Sequence, residues 1–318
     1  MSDVVLCECF ARDGLQHERD FVPTATKRAL IERFAEIGFP RIEATSYSNP
    51  KVVPQFTDAS ELLAALIRRP GVRYKATCAN VRAVERALAD LRAGFGVNEI
   101  SLLVSASEEH SQKNLRRSRA EQWDNVRAMV QAARGSFRMI GTISVAFGCP
   151  FEGAVDLAVV VGDAVRFNEI GVDHVALGDT TGMATPKAIK DLLGRLGREI
   201  TDLTLIAHLH DTRGTGLVNA LAAYEAGVRH FDCSFGGVGG HPAQIQYGGG
   251  FTGNVCTEDL VNLFESLGIP TGIDLAELLD TSRRCEQALG RELHGRVTRS
   301  GLNPMLAPMA GSSGAAAS

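Results

Sequence analysis

What most constrains this chain is one pattern repeated along it. A short β-branched or apolar run is followed by an amphipathic stretch of helical length, eight times over. The pairs are VVLCECF with 24–37, RIEATS with 53–66, YKATC with 81–91, EISLLVSA with 121–134, MIGTISVA with 155–170, HVALGD with 186–200, TLIAHLHD with 217–225, and HFDCSFGG with 257–267. Helices close on glycine in EIGF, EIGVDHV and EAGVRHF, where a residue without Cβ takes the left-handed conformation. TPKAIKDLL marks a start, with Thr185 as cap and Pro186 at the first helical position. Connections too short for another domain predict a single (β/α)8 TIM barrel over 1–290, including an extra C-terminal helix at 275–289; a doubly wound open sheet is the alternative. Residues 291–318, ending in APMAGSSGAAAS, are expected to be a flexible tail.

Charge and cysteine content narrow the function. The net charge of −4 leaves no excess of Lys and Arg to neutralise phosphates along a nucleic acid or a membrane surface, so an anionic ligand must find a local basic patch. Seven cysteines without a C-x-x-C pair fit reduced thiols in a cytoplasmic protein better than a disulfide framework. MSDVVLCECF enters a strand at once, and no apolar span reaches membrane length, so neither a signal peptide nor a membrane helix is expected.

In a barrel of this kind the chemistry sits at the C-terminal ends of the strands. There the sequence places ARDGLQHERD after strand one, Glu43 within strand two, GDTTG after strand six, HLHDT after strand seven and a glycine-rich segment after strand eight. His208 and His210, two apart on a strand, face the same side as two metal ligands require. With Asp13 and the amide oxygen of Asn254 they form a mixed nitrogen and oxygen set, suited to Mg²⁺ or Mn²⁺ with positions left open for substrate. Such a cation binds two substrate oxygens and stabilises the charge that grows on one of them. Glu43, a lone carboxylate in an apolar run, is expected to hold the Arg12 guanidinium. GGVGG lacks the G-x-G-x-x-G spacing of a dinucleotide cradle.

The motifs RDGLQ, IEATS, FGCPFEG, LGDTTG, HLHDT and GGVGG, in this order, resemble the 3-hydroxy-3-methylglutaryl-CoA lyase family of metal-dependent TIM-barrel lyases and condensing enzymes. The resemblance runs from about residue 4 to 289. It implies that Asp13, His208, His210 and Asn254 bind the divalent cation, that Arg12 neutralises an enolate oxygen, and that Glu43 and Asp179 support the site. It implies His210 as general acid or base, an acyl-CoA substrate contacted by Gln16, Ser46 and Lys113, and a homodimer or higher homo-oligomer. The reaction implied is retro-Claisen cleavage of a 3-hydroxyacyl-CoA to acetyl-CoA and a keto acid. A lyase acting on (R)-citramalyl-CoA to give pyruvate, and a condensing acyltransferase of the isopropylmalate or homocitrate synthase kind, are the alternatives.

One departure stands out. Where the family's glycine loop carries a cysteine thought to move a proton, this chain has His241, in a segment longer than usual. An imidazole with pKa ~6.5, against ~8.5 for a thiol, can donate or accept near neutral pH, so His241 is a candidate replacement. The glycines around it read as hinges of a lid. SQKNLRRSR after strand four offers Lys113, Arg116, Arg117 and Arg119 as partners for coenzyme A phosphates.

Overall fold

The protein is represented by a computed structural model that describes residues 2–240 and 253–306. Eight parallel strands close into one barrel in sequential order: β1 (Val5–Glu8), β2 (Arg41–Ser46), β3 (Arg73–Cys78), β4 (Glu99–Ser105), β5 (Arg138–Ser144), β6 (His174–Gly178), β7 (Thr204–His208) and β8 (His230–Cys233). The ring is sealed where β8 pairs with β1, Asp232 opposite Cys7. The helices around it are α1 (Thr24–Glu36), α2 (Ala59–Ala65), α3 (Val81–Arg92), α4 (Glu108–Leu115), α5 (Arg119–Ala133), α6 (Leu157–Glu169), α7 (Pro186–Glu199), α8 (Gly216–Glu225) and α9 (Thr257–Ser266), followed by α10 (Leu275–Leu289) and α11 (Arg296–Ser300). The fold is thus the expected (β/α)8 barrel, and the open sheet is excluded.

The start and stop signals act as the sequence suggests. The Thr185 hydroxyl accepts the Ala188 amide at the head of α7, and Gly38, Gly171 and Gly227 follow their helices with positive φ. The apolar faces of the helices pack on the outer face of the barrel, where Phe34, Phe39, Phe167, Phe231 and Phe264 are fully buried. Inside the barrel the apolar filling is small, a separate cluster of Ile140, Ala176 and Ile206.

Three local expectations need correction. The helix expected over 53–66 is a 3-10 turn, Pro54–Phe56, followed by the short α2, because the Gln55 carbonyl, which a continuous helix would give to the Ala59 amide, accepts from the Lys27 ammonium at 2.5 Å. The basic loop after β4 contains α4, capped by the Ser107 hydroxyl on the His110 amide. The stretch 291–306, expected to belong to a flexible tail, is packed against the barrel: Leu293 and Val297 are buried, and the Arg296 and Val297 amides donate to the Asp259 carboxylate at 3.1 and 2.9 Å, docking α11 on α9. Residues 307–318 lie outside the described residues. Among the described residues no helix is long and apolar enough to cross a membrane.

Gly38, at φ +108°, sits where a Cβ would lie 2.5 Å from the Gly272 carbonyl oxygen. Left-handed strain costs an L-residue about 1–2 kcal/mol, and the contact with backbone adds to it. Gly38→Ala is therefore expected to lower unfolding free energy by at least about 1–2 kcal/mol, read as a shift of the urea midpoint at unchanged m-value.

Candidate active site

The site begins with a single unusual turn. After β1 the chain makes one π-helical turn, Phe10–Gly14, in which the Arg12, Asp13 and Gly14 amides all point at the Cys9 carbonyl. Turns of this type concentrate at functional sites because they throw neighbouring side chains to one side. Here Arg12 Nη1 meets Asp13 Oδ1 at 2.8 Å and Arg12 Nη2 meets Glu43 Oε2 at 2.8 Å. Glu43 stands just before a register shift between β2 and β3, and its other oxygen accepts from the Thr77 hydroxyl at 2.7 Å.

The charges continue down the barrel axis. Lys75 of β3 lies 3.4 Å from both Glu43 and Asp232, and Asp232 accepts from His208 Nδ1 at 3.1 Å. Below them Arg41 is held by Glu99 at 3.0 Å. All of these side chains except Arg12, which is partly exposed, are buried. Their ionisation is mutually supported. Burial disfavours the charged form of Asp13, yet Arg12, the two histidines and the Asn254 amide hold its carboxyl well below the usual range. Burial likewise opposes ionisation of Asp232, and Lys75 and His208 overcome it. Glu43 is depressed by Arg12 and Lys75 against the same burial cost. Lys75 and Asp232 were not singled out in the sequence; the available signal was a lone charge in each apolar run, YKATC and HFDC, the same signal that marked Glu43.

At the top of this line the atoms expected to ligate a cation converge. His208 Nε2 and His210 Nε2 are 3.3 Å apart, and Asp13 Oδ2 lies 3.9 and 3.8 Å from them. Because His208 Nδ1 is committed to Asp232, its Nε2 lone pair faces the cluster. Burial and the neighbouring His208 push His210 down to about 3, so it is neutral and able to ligate at physiological pH. Asn254 joins them: its Nδ2 donates to Asp13 Oδ2 at 2.5 Å, and its buried Oδ1 has no partner among the described residues. Gly239, at φ +129°, leaves open the space beside Asn254 and Asp13 that a Cβ would fill. Two imidazole nitrogens, a carboxylate, an unpartnered amide oxygen and a cradle kept clear by glycine fit a divalent cation.

A cavity of about 2270 Å³ opens over this cluster, reaching from Lys75 and Asp232 at its floor to Lys113, Arg116 and Arg117 at its rim. A family model described as HMGL-like matches residues 3–284. The chain belongs to the HMGL-like family. It is similar to the mitochondrial hydroxymethylglutaryl-CoA lyase of Rattus norvegicus, 39% identical over 93% of this chain and 89% of the relative. It is also similar to the (R)-citramalyl-CoA lyase of Chloroflexus aurantiacus, 37% identical over 98% of this chain and 99% of the relative. An HMG-CoA lyase from Acinetobacter baumannii, solved with coenzyme A and 3-methylmalate, superposes with a TM-score of 0.89 at 37% identity, covering 96% of this chain and 97% of that one.

Within this HMGL-like site not every expected residue faces the cavity. Gln16 does, and it accepts from Arg12 Nη1 at 3.4 Å; its neighbour His17, not singled out in the sequence, is exposed on the same wall. Asp179 does not line the cavity: its oxygens accept the Met183 and Ala184 amides at 2.7 and 3.1 Å, so it shapes the loop after β6, and burial raises it to about 6. Ser46 is turned to the Ser48 hydroxyl at 2.7 Å and the Thr77 carbonyl, off the cavity surface. Arg119 is committed to Asp163 at 2.6 Å and the Ser105 carbonyl at 2.7 Å, which removes it from the basic rim. Lys113 lies 2.7 Å from Glu109 and 3.7 Å over the Phe151 ring. His241 lies outside the described residues.

Two measurements check this geometry. Asp232→Asn loosens the hold on His208, and such supporting partners are worth about 10–100-fold in metal affinity; calorimetric titration with Mn²⁺ should show a loss of that order with the circular dichroism spectrum intact. In the cation-free protein the unfolded chain protonates the His210 imidazole below about 6.5 while the folded chain holds it neutral down to about 3. The unfolded state therefore binds more protons in that window, and stability falls as pH drops through it. His210→Ala is expected to flatten that slope in denaturation midpoints measured across the window.

Proposed function

We propose that the chain is a divalent-cation-dependent lyase that cleaves a 3-hydroxyacyl-CoA ester of the 3-hydroxy-3-methylglutaryl-CoA kind to acetyl-CoA and a keto acid. The observation that carries this reading is the convergence of Asp13, His208 and His210 beside the Arg12 guanidinium at the floor of a large cavity. Asp13, His208, His210 and Asn254 would hold the cation. When bound, it supplies Lewis-acid polarisation of two substrate oxygens. The nitrogen and oxygen donor set favours Mg²⁺ or Mn²⁺ over a thiophilic metal.

The protein's own residues do the rest. Arg12 is fixed by Glu43 and Asp13, and its Nε is buried with no partner among the described residues, leaving a donor for an oxygen on which negative charge develops. Pre-fixing that guanidinium means it does not reorganise when the charge appears. Lys113, Arg116 and Arg117 at the rim supply cations of the kind that coenzyme A phosphates need. His241 is proposed to carry the proton to or from the acetyl carbon in place of the family's cysteine, since imidazoles committed to a cation are poor proton carriers.

A second reading, cleavage of (R)-citramalyl-CoA to pyruvate, is favoured by the Chloroflexus relative, whose alignment spans nearly all of both chains. Both readings are cleavages, which supports a lyase over a condensing acyltransferase. Seven free, buried cysteines support a cytoplasmic, reducing setting, and a homo-oligomer is proposed on family grounds alone.

The deciding experiment is a product assay over a panel of 3-hydroxyacyl-CoA esters with Mg²⁺ or Mn²⁺ and a chelator control. Acetyl-CoA released only with the cation is expected, and pyruvate as the co-product would select the second reading; no cleavage of any member would remove the proposal. Arg12→Gln should lower kcat by about 10²–10³-fold, the effect of removing an oxyanion donor. His241→Ala should lower kcat while leaving cation affinity unchanged, and an unaltered kcat would take His241 out of the reaction.

A further inference from the structure

Beneath the Asp13, His208 and His210 cluster the barrel interior holds a second set of metal-ligating side chains. Cys7 on β1 and Cys9 just beyond it are two residues apart, so their sulfurs fall on the same side, with the Sγ atoms 4.0 Å apart. Asp232 pairs in register with Cys7 across the barrel seam. One ligand atom from each of the three lies within 4.8 Å of the others, and all three residues are buried.

The two oxygens of Asp232 have different surroundings. Oδ2 takes His208 at 3.1 Å and Lys75 at 3.4 Å. Oδ1 is buried and has no hydrogen-bond partner among the described residues; Arg41 Nη1 stands 3.9 Å away, beyond hydrogen-bond range. The Asp232 carboxylate and the two sulfurs thus surround one position, and the carboxylate still has an oxygen without a hydrogen-bond partner among the described residues. The spacing also fits, because two sulfurs each about 2.3 Å from a tetrahedral ion stand about 3.8 Å apart.

We propose that Cys7, Cys9 and the Asp232 carboxylate form a site for a thiophilic d¹⁰ cation of the zinc and cadmium class, distinct from the cluster above it. Binding exchanges two thiol protons for one divalent ion: the metal–sulfur bonds form from the electron pairs left by the departing protons, which pass to solvent. The net charge of the interior is unchanged, so Lys75 and Arg41 need not be displaced. Softness separates the two sites, sulfur below and nitrogen and oxygen above. Asp232, one of the three ligands, lines the cavity. Asp232 joins the sites, since its Oδ2 orients His208 and its carboxylate belongs to the Cys7 and Cys9 group.

The test is a titration of the full chain with Cd²⁺ in excess Mg²⁺, followed by the ultraviolet sulfur-to-cadmium charge-transfer band, which the upper nitrogen and oxygen set does not produce. A saturable band at one equivalent, with two protons released per ion, is expected. Cys7→Val with Cys9→Val should abolish the band, and Cys256→Ser should retain it. If the double variant does not fold, Cys9→Val alone should weaken Cd²⁺ binding by at least about ten-fold. No sulfur band from the unaltered chain, or a Cd²⁺ affinity unchanged by loss of Cys9, would overturn the proposal.

Discussion

The structure depends on a line of alternating charge that runs up the inside of the barrel: Glu99, Arg41, Asp232, Lys75, Glu43, Arg12 and Asp13. Each buried ion there is balanced by its neighbours, and removing one leaves an uncompensated charge in a dry interior at about 3–5 kcal/mol. Most barrels of this fold fill that space with branched apolar side chains. Here the apolar filling is confined to Ile140, Ala176 and Ile206, on strands five to seven. Strands two, three, four and eight and the turn after strand one carry the ions, and the site sits above them. The same interactions that hold the interior together also fix the orientation of His208 and Arg12, so stability and site geometry rest on one network.

The frame of this arrangement was legible in the sequence because it depends on local signals. Alternating periodicities of two and 3.6, glycines after helices and the Thr185 cap are each written within a few residues. The HLHDT pair was legible for the same reason, since a strand's alternation alone places His208 and His210 together. What the sequence did not reveal is long-range. Lys75 and Asp232 are separated by 157 positions, and their contact exists only after the ring closes. Nor does composition distinguish a basic loop from α4, or show that Arg119 is committed to Asp163. Asp179 shows the converse: a polar residue at a strand end read as chemistry, and the structure uses it to fold its own loop.

The HMGL-like relatives span nearly the whole chain, so the family likeness covers the entire barrel. Every residue of the charge line and of the Asp13, His208, His210 and Asn254 cluster lies within the matched span 3–284.

The π-helical turn after β1 has one more consequence. Arg12 and Asp13 are adjacent in the chain and share the Cys9 carbonyl as a common anchor. Asp13, from the first strand's end, meets Asn254, which arrives only with the segment after the last strand. During synthesis Asp13 and Asn254 therefore cannot meet until nearly all of the barrel has left the ribosome. A nascent or truncated chain lacks the cluster, and the finished barrel is the first species to present it.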